Sequence, residues 1–269
     1  MIDVGSGPPL VLIPGLQGRW EWMRPTVNAL ARQFRVLSFT LAGDWGSRQR
    51  FDERLGFDNF VIQVDKAIED AGLESAHLCG VSYGGLIALR YAALRPERVR
   101  RLVLASALPP DYEVDGRYNF YRRAPVLMLP LFAVESAHRV SPELRAALPT
   151  FGSRVRMLPQ AWRVLTAPVW PRHMRRRMEL LRTVDFMADA RHVRAQALAI
   201  TGEPGLDRTV PVDLTRRYVD CLPGTEHVVL DRTGHMGTVT RPAAFASLVA
   251  SFIARTADGP SSGASRMAG

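Results

Sequence analysis

Short apolar runs alternate with longer stretches of helical apolar spacing over the first 110 positions of the chain. Residues 10–13 (Leu-Val-Leu-Ile), 34–39, 75–79 and 101–105 have the length and content of buried strands, and 57–71 and 86–94 place apolar residues three and four apart. Strands that alternate with helices predict a mainly parallel sheet covered on both faces, because parallel neighbours need a long crossover. The rhythm stops near Pro109. Between 109 and 195 the pattern becomes proline-punctuated helical pieces at 119–131, 142–148, 160–165 and 172–188, with no obvious strand. It resumes with a strand at 196–200, a loop to Pro211, a helix ending near Cys221, a strand at 227–230 and a helix over 242–252. The expected organisation is an α/β core from 1–108 and 196–255, a helical cap inserted at 109–195, and a Gly/Ser-rich, disordered tail at 256–269.

The junction between the strand at 75–79 and the helix that follows reads Gly80-Val-Ser82-Tyr-Gly84, the G-x-S-x-G pattern. The pattern alone occurs by chance; its setting between a strand and a helix is what makes Ser82 a candidate nucleophile held on a sharp turn. A flexible Gly-Ser loop is the competing reading. A serine nucleophile needs a base, a group that orients the base, and donors for the oxyanion. Of six histidines, His235 lies in a Gly-flanked loop between the strand at 227–230 and the last helix, where an imidazole reaches the strand ends. His77 and His227 belong to strands and His138, His173 and His192 to the insertion. Asp207, in the loop after the strand at 196–200, is the candidate orienting acid; its alternative role is an Asx turn or helix cap near Thr209. Glu203 is the rival, and Asp231 is too close in sequence to His235. The oxyanion donors expected from this layout are the amides of Tyr83 and Leu16, the latter in the Gly-flanked loop after the first strand. Gln17, Trp45 and Trp162 are candidate substrate contacts. Trp162, Trp170, Phe132, Met128, Met174 and Met178 either line a channel or form the insertion's own core, and singly each reads as core.

Composition narrows the class. At 269 residues and 47% apolar content the chain supports a large core. The formal charge of +9 raises nucleic acid as a partner, but Lys66 is the single lysine and the arginines are dispersed among apolar residues without aromatic interleaving. No specific nucleic-acid ligand is expected. The densest basic cluster, 172–177, reads as a solvated helix face, with attraction of anionic substrates as the alternative. Cys79 and Cys221 are expected to be free thiols, and the lack of a signal pattern or membrane-spanning run makes the cytoplasm the default location.

Together, the segment 5–15 (Gly-Ser-Gly-Pro-Pro-Leu-Val-Leu-Ile-Pro-Gly), the elbow with Gly84 and Gly85 after Ser82, Arg95-Pro-Glu-Arg-Val99, the Asp207 loop and Gly234-His235 resemble the α/β-hydrolase superfamily, in its serine-nucleophile branch with a helical cap. The resemblance spans residues 5–255 and implies the chain order serine, acid, histidine. It also implies hydrolysis of a carboxylic ester, thioester or lactone through an acyl-enzyme, with no metal or organic cofactor. Carbon–carbon bond hydrolysis, haloperoxidase-like perhydrolysis, imino-peptidase action and acyl transfer use the same residues in related families. A ligand receptor with a retained triad is the non-catalytic alternative. The expected partner is a small acyl substrate, and a homodimer is an admissible assembly. Three departures stand out: Pro14 replaces the histidine common before the oxyanion-loop glycine, residues 40–47 (Thr-Leu-Ala-Gly-Asp-Trp-Gly-Ser) replace an Asp-x-Pro-Gly-type loop, and the usual opening strand pair is nearly absent.

Overall fold

The computed structural model describes residues 1–113, 129–167 and 169–255. Met128, the Phe132 side chain, residues 119–128 of the helix expected over 119–131 and the tail at 256–269 lie outside the described residues. Among the described residues seven strands form one sheet: β1 (Ile2–Val4), β2 (Pro9–Ile13), β3 (Arg35–Ser38), β4 (Ala76–Val81), β5 (Val99–Ala105), β6 (Ala197–Thr201) and β7 (Glu226–Val229). Their order is β1-β3-β2-β4-β5-β6-β7, and every pairing is parallel except β1 with β3. Six parallel strands therefore send their following loops to one edge of the sheet, which is where ligands bind in open α/β folds.

The helices are α1 (Arg24–Leu30), α2 (Asp58–Asp70), α3 (Tyr83–Leu94), α4 (Leu129–Ala147), α5 (Phe151–Val155), α6 (Leu158–Thr166), α7 (Pro171–Leu180), α8 (Phe186–Ala190), α9 (Val212–Arg216), α10 (Tyr218–Cys221), α11 (Gly237–Thr240) and α12 (Pro242–Ala254). Alternate residues of β2 feed two cores. Val11 and Ile13 pack with Val64 and Ile68 of α2 and Leu86 and Leu89 of α3, whereas Leu10 and Leu12 pack with Val27 and Leu30 of α1 and Phe245, Val249 and Phe252 of α12. A sheet covered on both faces explains why its strands read as unbroken apolar runs. α3 is buried almost all round, so it lacks the one-sided stripe of α2, whose Ile62, Lys66 and Glu69 face solvent.

Two elements were not legible in the sequence. β1 is a single short strand antiparallel to β3, so one strand stands where the family's usual opening pair was found nearly absent. α1 fills the segment between β2 and β3. In the insertion, Pro142 lies inside α4, where a helix start was expected. Proline removes a donor to the carbonyl four residues back; that carbonyl, of His138, accepts a hydrogen bond from Ser141 Oγ at 3.1 Å instead. The helix expected to run to Cys221 is broken into α9 and α10. Among the described residues no helix is long and apolar enough to cross a membrane.

Candidate active site

Ser82 alone separates the end of β4 from the start of α3. Its backbone has φ 55° and ψ −120°, a region that costs a residue with a Cβ about 1–3 kcal/mol and is kept only where the surroundings impose it. The surroundings are on both sides. The Ser82 amide donates to the Ala105 carbonyl at 2.9 Å, and the Ser82 carbonyl accepts from the amides of Gly85 at 2.9 Å and Leu108 at 3.3 Å. The motif glycines permit the backbone approach this needs: a Cβ on Gly80 would stand 2.3 Å from the Gly84 carbonyl oxygen, and one on Gly84 2.5 Å from that of Ile13.

The loops after β6 and β7 meet at the same edge. Asp207 Oδ2 lies 3.3 Å from His235 Nδ1, while Asp207 Oδ1 accepts from the amides of Thr209 at 3.0 Å and Val210 at 2.9 Å. One carboxylate oxygen therefore makes the Asx turn and the other faces the histidine, a geometry that admits both roles foreseen for Asp207. Glu203 turns elsewhere, accepting from the Arg232 amide at 2.6 Å. At 3.3 Å the Asp207–His235 contact is looser than a tight charge-assisted bond, as catalytic hydrogen bonds often are without substrate.

The loop after β2 lies against the serine. A Cβ on Gly15 would stand 3.3 Å from Ser82 Cβ and 3.4 Å from Gln17 Oε1, which sets the Gln17 carboxamide beside the elbow. The Leu16 amide donates to no described residue, and its carbonyl accepts from Arg177 Nη1 at 2.8 Å. Tyr83 is fully buried, ringed by Phe57 and Phe60 at centroid distances of 5.9 and 6.1 Å. The structure does not bring the other aromatic candidates into this site: Trp45 is 72% exposed and Trp162 66% exposed. Trp170 is also exposed, whereas Met178 is buried in the main core.

Two charged residues of the insertion reach this edge without having been singled out in the sequence. Arg177 was placed on a solvated basic face; it is 3% exposed, because α7 turns it inward onto Asp44 while Arg172 stays outside. Glu143 of α4 is 1% exposed, and its carboxylate accepts from the Met236 amide at 2.8 Å and from Thr240 Oγ1 at 3.1 Å. Burial raises its carboxyl above the ordinary carboxylate range, opposed by those same hydrogen bonds. The i,i+4 spacing of His173 and Arg177 was a usable signal for two residues facing one acceptor; nothing in the sequence ties Glu143 to Met236.

Neither cysteine is a rival nucleophile. Burial pushes the Cys79 thiol up to about 12 and the Cys221 thiol up to about 11, so both stay protonated at neutral pH. His77 is buried in β4, and His227 Nε2 lies 2.9 Å from Thr201 Oγ1. No group of three or more His, Cys, Asp or Glu side chains among the described residues is placed to hold a metal ion.

Residues 8–242 match the family model described as the alpha/beta hydrolase fold. The chain is 26% identical over 262 residues to a 2-hydroxy-6-oxo-2,4-heptadienoate hydrolase of Pseudomonas putida, covering 94% of this chain and 91% of that one. It is 28% identical over 262 residues to a 2-hydroxymuconate semialdehyde hydrolase of a Pseudomonas species, covering 94% and 89%. Among solved structures, the enol-lactonase of Burkholderia xenovorans superposes with a TM-score of 0.73 at 21% identity, covering 94% of this chain and 95% of that one.

Proposed function

The chain belongs to the α/β hydrolase fold family, and we propose that within it the protein is a serine hydrolase of a small carboxylic ester, thioester or lactone. The observation that carries this reading is Ser82, held at φ 55° on the turn between β4 and α3, beside a loop whose Leu16 amide donates to no described residue. His235, oriented through Nδ1 by Asp207, takes the Ser82 proton as Oγ attacks the carbonyl carbon. The tetrahedral intermediate places its oxyanion on the amides of Leu16 and Tyr83, and Gln17 borders the acyl pocket. His235 then protonates the leaving group and activates the water that releases the acid. Each proton and charge is handled by these side chains and amides. The helices between β5 and β6 form the cap over this site.

A second reading is favoured by the two curated relatives. A 2-hydroxy-6-oxo-dienoate contains no ester or amide link, so its hydrolysis breaks a carbon–carbon bond. The same serine, histidine and oxyanion donors serve that reaction.

The test is steady-state hydrolysis of a p-nitrophenyl ester series from acetate to decanoate, beside decay of a 2-hydroxy-6-oxo-dienoate chromophore, by wild type and Ser82→Ala. Ser82-dependent ester turnover supports the first reading. Ser82-dependent dienoate decay faster than any ester establishes the second. Turnover that survives Ser82→Ala refutes both.

A further inference from the structure

Both residues proposed to supply oxyanion amides are tied to one residue of the helical insertion. Arg177 Nη1 donates to the Leu16 carbonyl at 2.8 Å, and the Arg177 carbonyl accepts from Tyr83 Oη at 3.1 Å. The guanidinium is itself clamped. Arg177 Nη2 donates to Asp44 Oδ2 at 2.5 Å, and Asp44 Oδ1 lies 2.5 Å from Nδ1 of His173, one turn earlier on α7. The Arg177 and Asp44 side chains are 3% and 4% exposed.

Three features of the chain converge on this cluster. Pro14 occupies the place where the family commonly has a histidine, so support for the loop has to come from elsewhere. Asp44 belongs to the 40–47 loop that departs from the family pattern. Gly18, at φ 73°, closes the oxyanion loop by donating to the Gly15 carbonyl at 2.9 Å, and a Cβ there would stand 2.2 Å from Asp44 Oδ2 and 2.6 Å from Arg177 Nη1. The ion pair is thus packed flat against the back of the loop. A buried ion pair is a poor stabiliser relative to apolar packing, so its position is the informative part. With the Leu16 carbonyl held by a charged donor, the loop cannot turn its peptide planes without breaking a strong hydrogen bond.

We propose that Arg177, clamped by Asp44, is a positioning residue whose guanidinium holds the Leu16 loop in register, while its main-chain carbonyl ties Tyr83 to the same helix, so that the oxyanion site is complete only while the insertion is docked. This rests on the serine-hydrolase reading above. Arg177 acts through the loop and not on the substrate, and its loss is therefore expected in the step that forms the tetrahedral species.

The experiment is the rate of Ser82 labelling by a fluorophosphonate, whose phosphoryl oxygen enters the oxyanion site as the Ser82 Oγ–P bond forms and fluoride departs. Wild type, Arg177→Met, Arg177→Lys and Arg177→Ala with added guanidinium at non-denaturing concentration are compared. Arg177→Met is expected to label about 100-fold more slowly, the size of losing an oxyanion donor. Arg177→Lys, which cannot span both acceptors, is expected to be intermediate, and guanidinium is expected to restore much of the rate to Arg177→Ala. A structural role alone lowers the melting temperature and is not rescued by guanidinium. Labelling of folded Arg177→Met within threefold of wild type overturns the proposal and leaves the serine reading intact; should that variant not fold, a wild-type rate in Arg177→Lys does the same. A wild type that does not label at Ser82 refutes the serine reading and this proposal with it.

Discussion

Replacing Asp207 by asparagine isolates the orientation of His235. The two amides on Asp207 Oδ1, from Thr209 at 3.0 Å and Val210 at 2.9 Å, demand an acceptor. In Asp207→Asn the carboxamide oxygen takes that place, so the NH2 group is directed at His235 Nδ1. Nδ1 must then accept, the ring proton moves to Nε2, and the nitrogen meant to receive the Ser82 proton becomes a donor. The expected loss in kcat is about 10³–10⁴-fold, equivalent to about 4–5 kcal/mol of transition-state stabilisation. Stability is expected to fall by only about 1 kcal/mol, a shift of 2–4 °C for a chain of this size, because both amide bonds persist. The assay pairs ester turnover, normalised to sites titrated by phosphonate, with thermal unfolding. Glu203→Gln is the control, expected to stay within threefold of wild type because Glu203 binds the Arg232 amide. More than a tenth of wild-type kcat in Asp207→Asn, or a larger loss in Glu203→Gln, refutes the reasoning.

Backbone strain at Ser82 predicts that Ser82→Gly is more stable than Ser82→Ala by about 1 kcal/mol in denaturant unfolding, since only glycine relaxes at φ 55°; equal stabilities would remove the strain argument. Burial and the cations of Arg100 and Arg101 lower His77 to about 4, so below pH 6.5 the unfolded chain takes up a proton that the folded one refuses. Stability is expected to drop by about 2 kcal/mol between pH 6.5 and 4 after allowance for solvent screening, and His77→Gln is expected to flatten that slope. The Glu143 carboxyl is raised, so the folded chain holds its proton longer than the unfolded one. Wild-type stability measured against Glu143→Gln is therefore expected to fall as pH rises above 4.5, and a rising difference would count against burial as the cause.

What was legible in the sequence was local. Leu10, Val11, Leu12 and Ile13 announce a doubly covered strand because every position meets a core, and Gly80 to Gly84 announce an elbow because the turn needs small residues at fixed offsets. Asp207 and His235 were placed by the loops that carry them, each following a strand. β1 was missed because Ile2–Val4 is short and half exposed at a sheet edge, so neither period nor run length marks it. Trp45 was drawn to the site by the 40–47 loop that carries it and Trp162 by its place in the insertion, and nothing local distinguishes an aromatic on a rim from one at the surface. Arg177 was hidden for the opposite reason: beside Arg175 and Arg176 it has the signature of a solvated face, and its burial depends on Asp44, 133 positions away.

Arg177 and Glu143 also bear on what the insertion is for. A lid that served only to exclude water would dock through apolar side chains, as Met178 does in the main core, and would avoid the desolvation of ionic groups. Here the insertion carries two buried ionisable side chains, one bonded to the loop of Leu16 and the other to the amide immediately after His235. Each of these side chains hydrogen-bonds to a loop with a proposed catalytic group. Undocking the insertion would strip the Leu16 carbonyl of its donor and the Met236 amide of its acceptor together, loosening the oxyanion loop and the histidine loop at once. On the proposal that Arg177 positions the Leu16 loop, burying these ionisable groups would make the chemistry conditional on docking of the insertion.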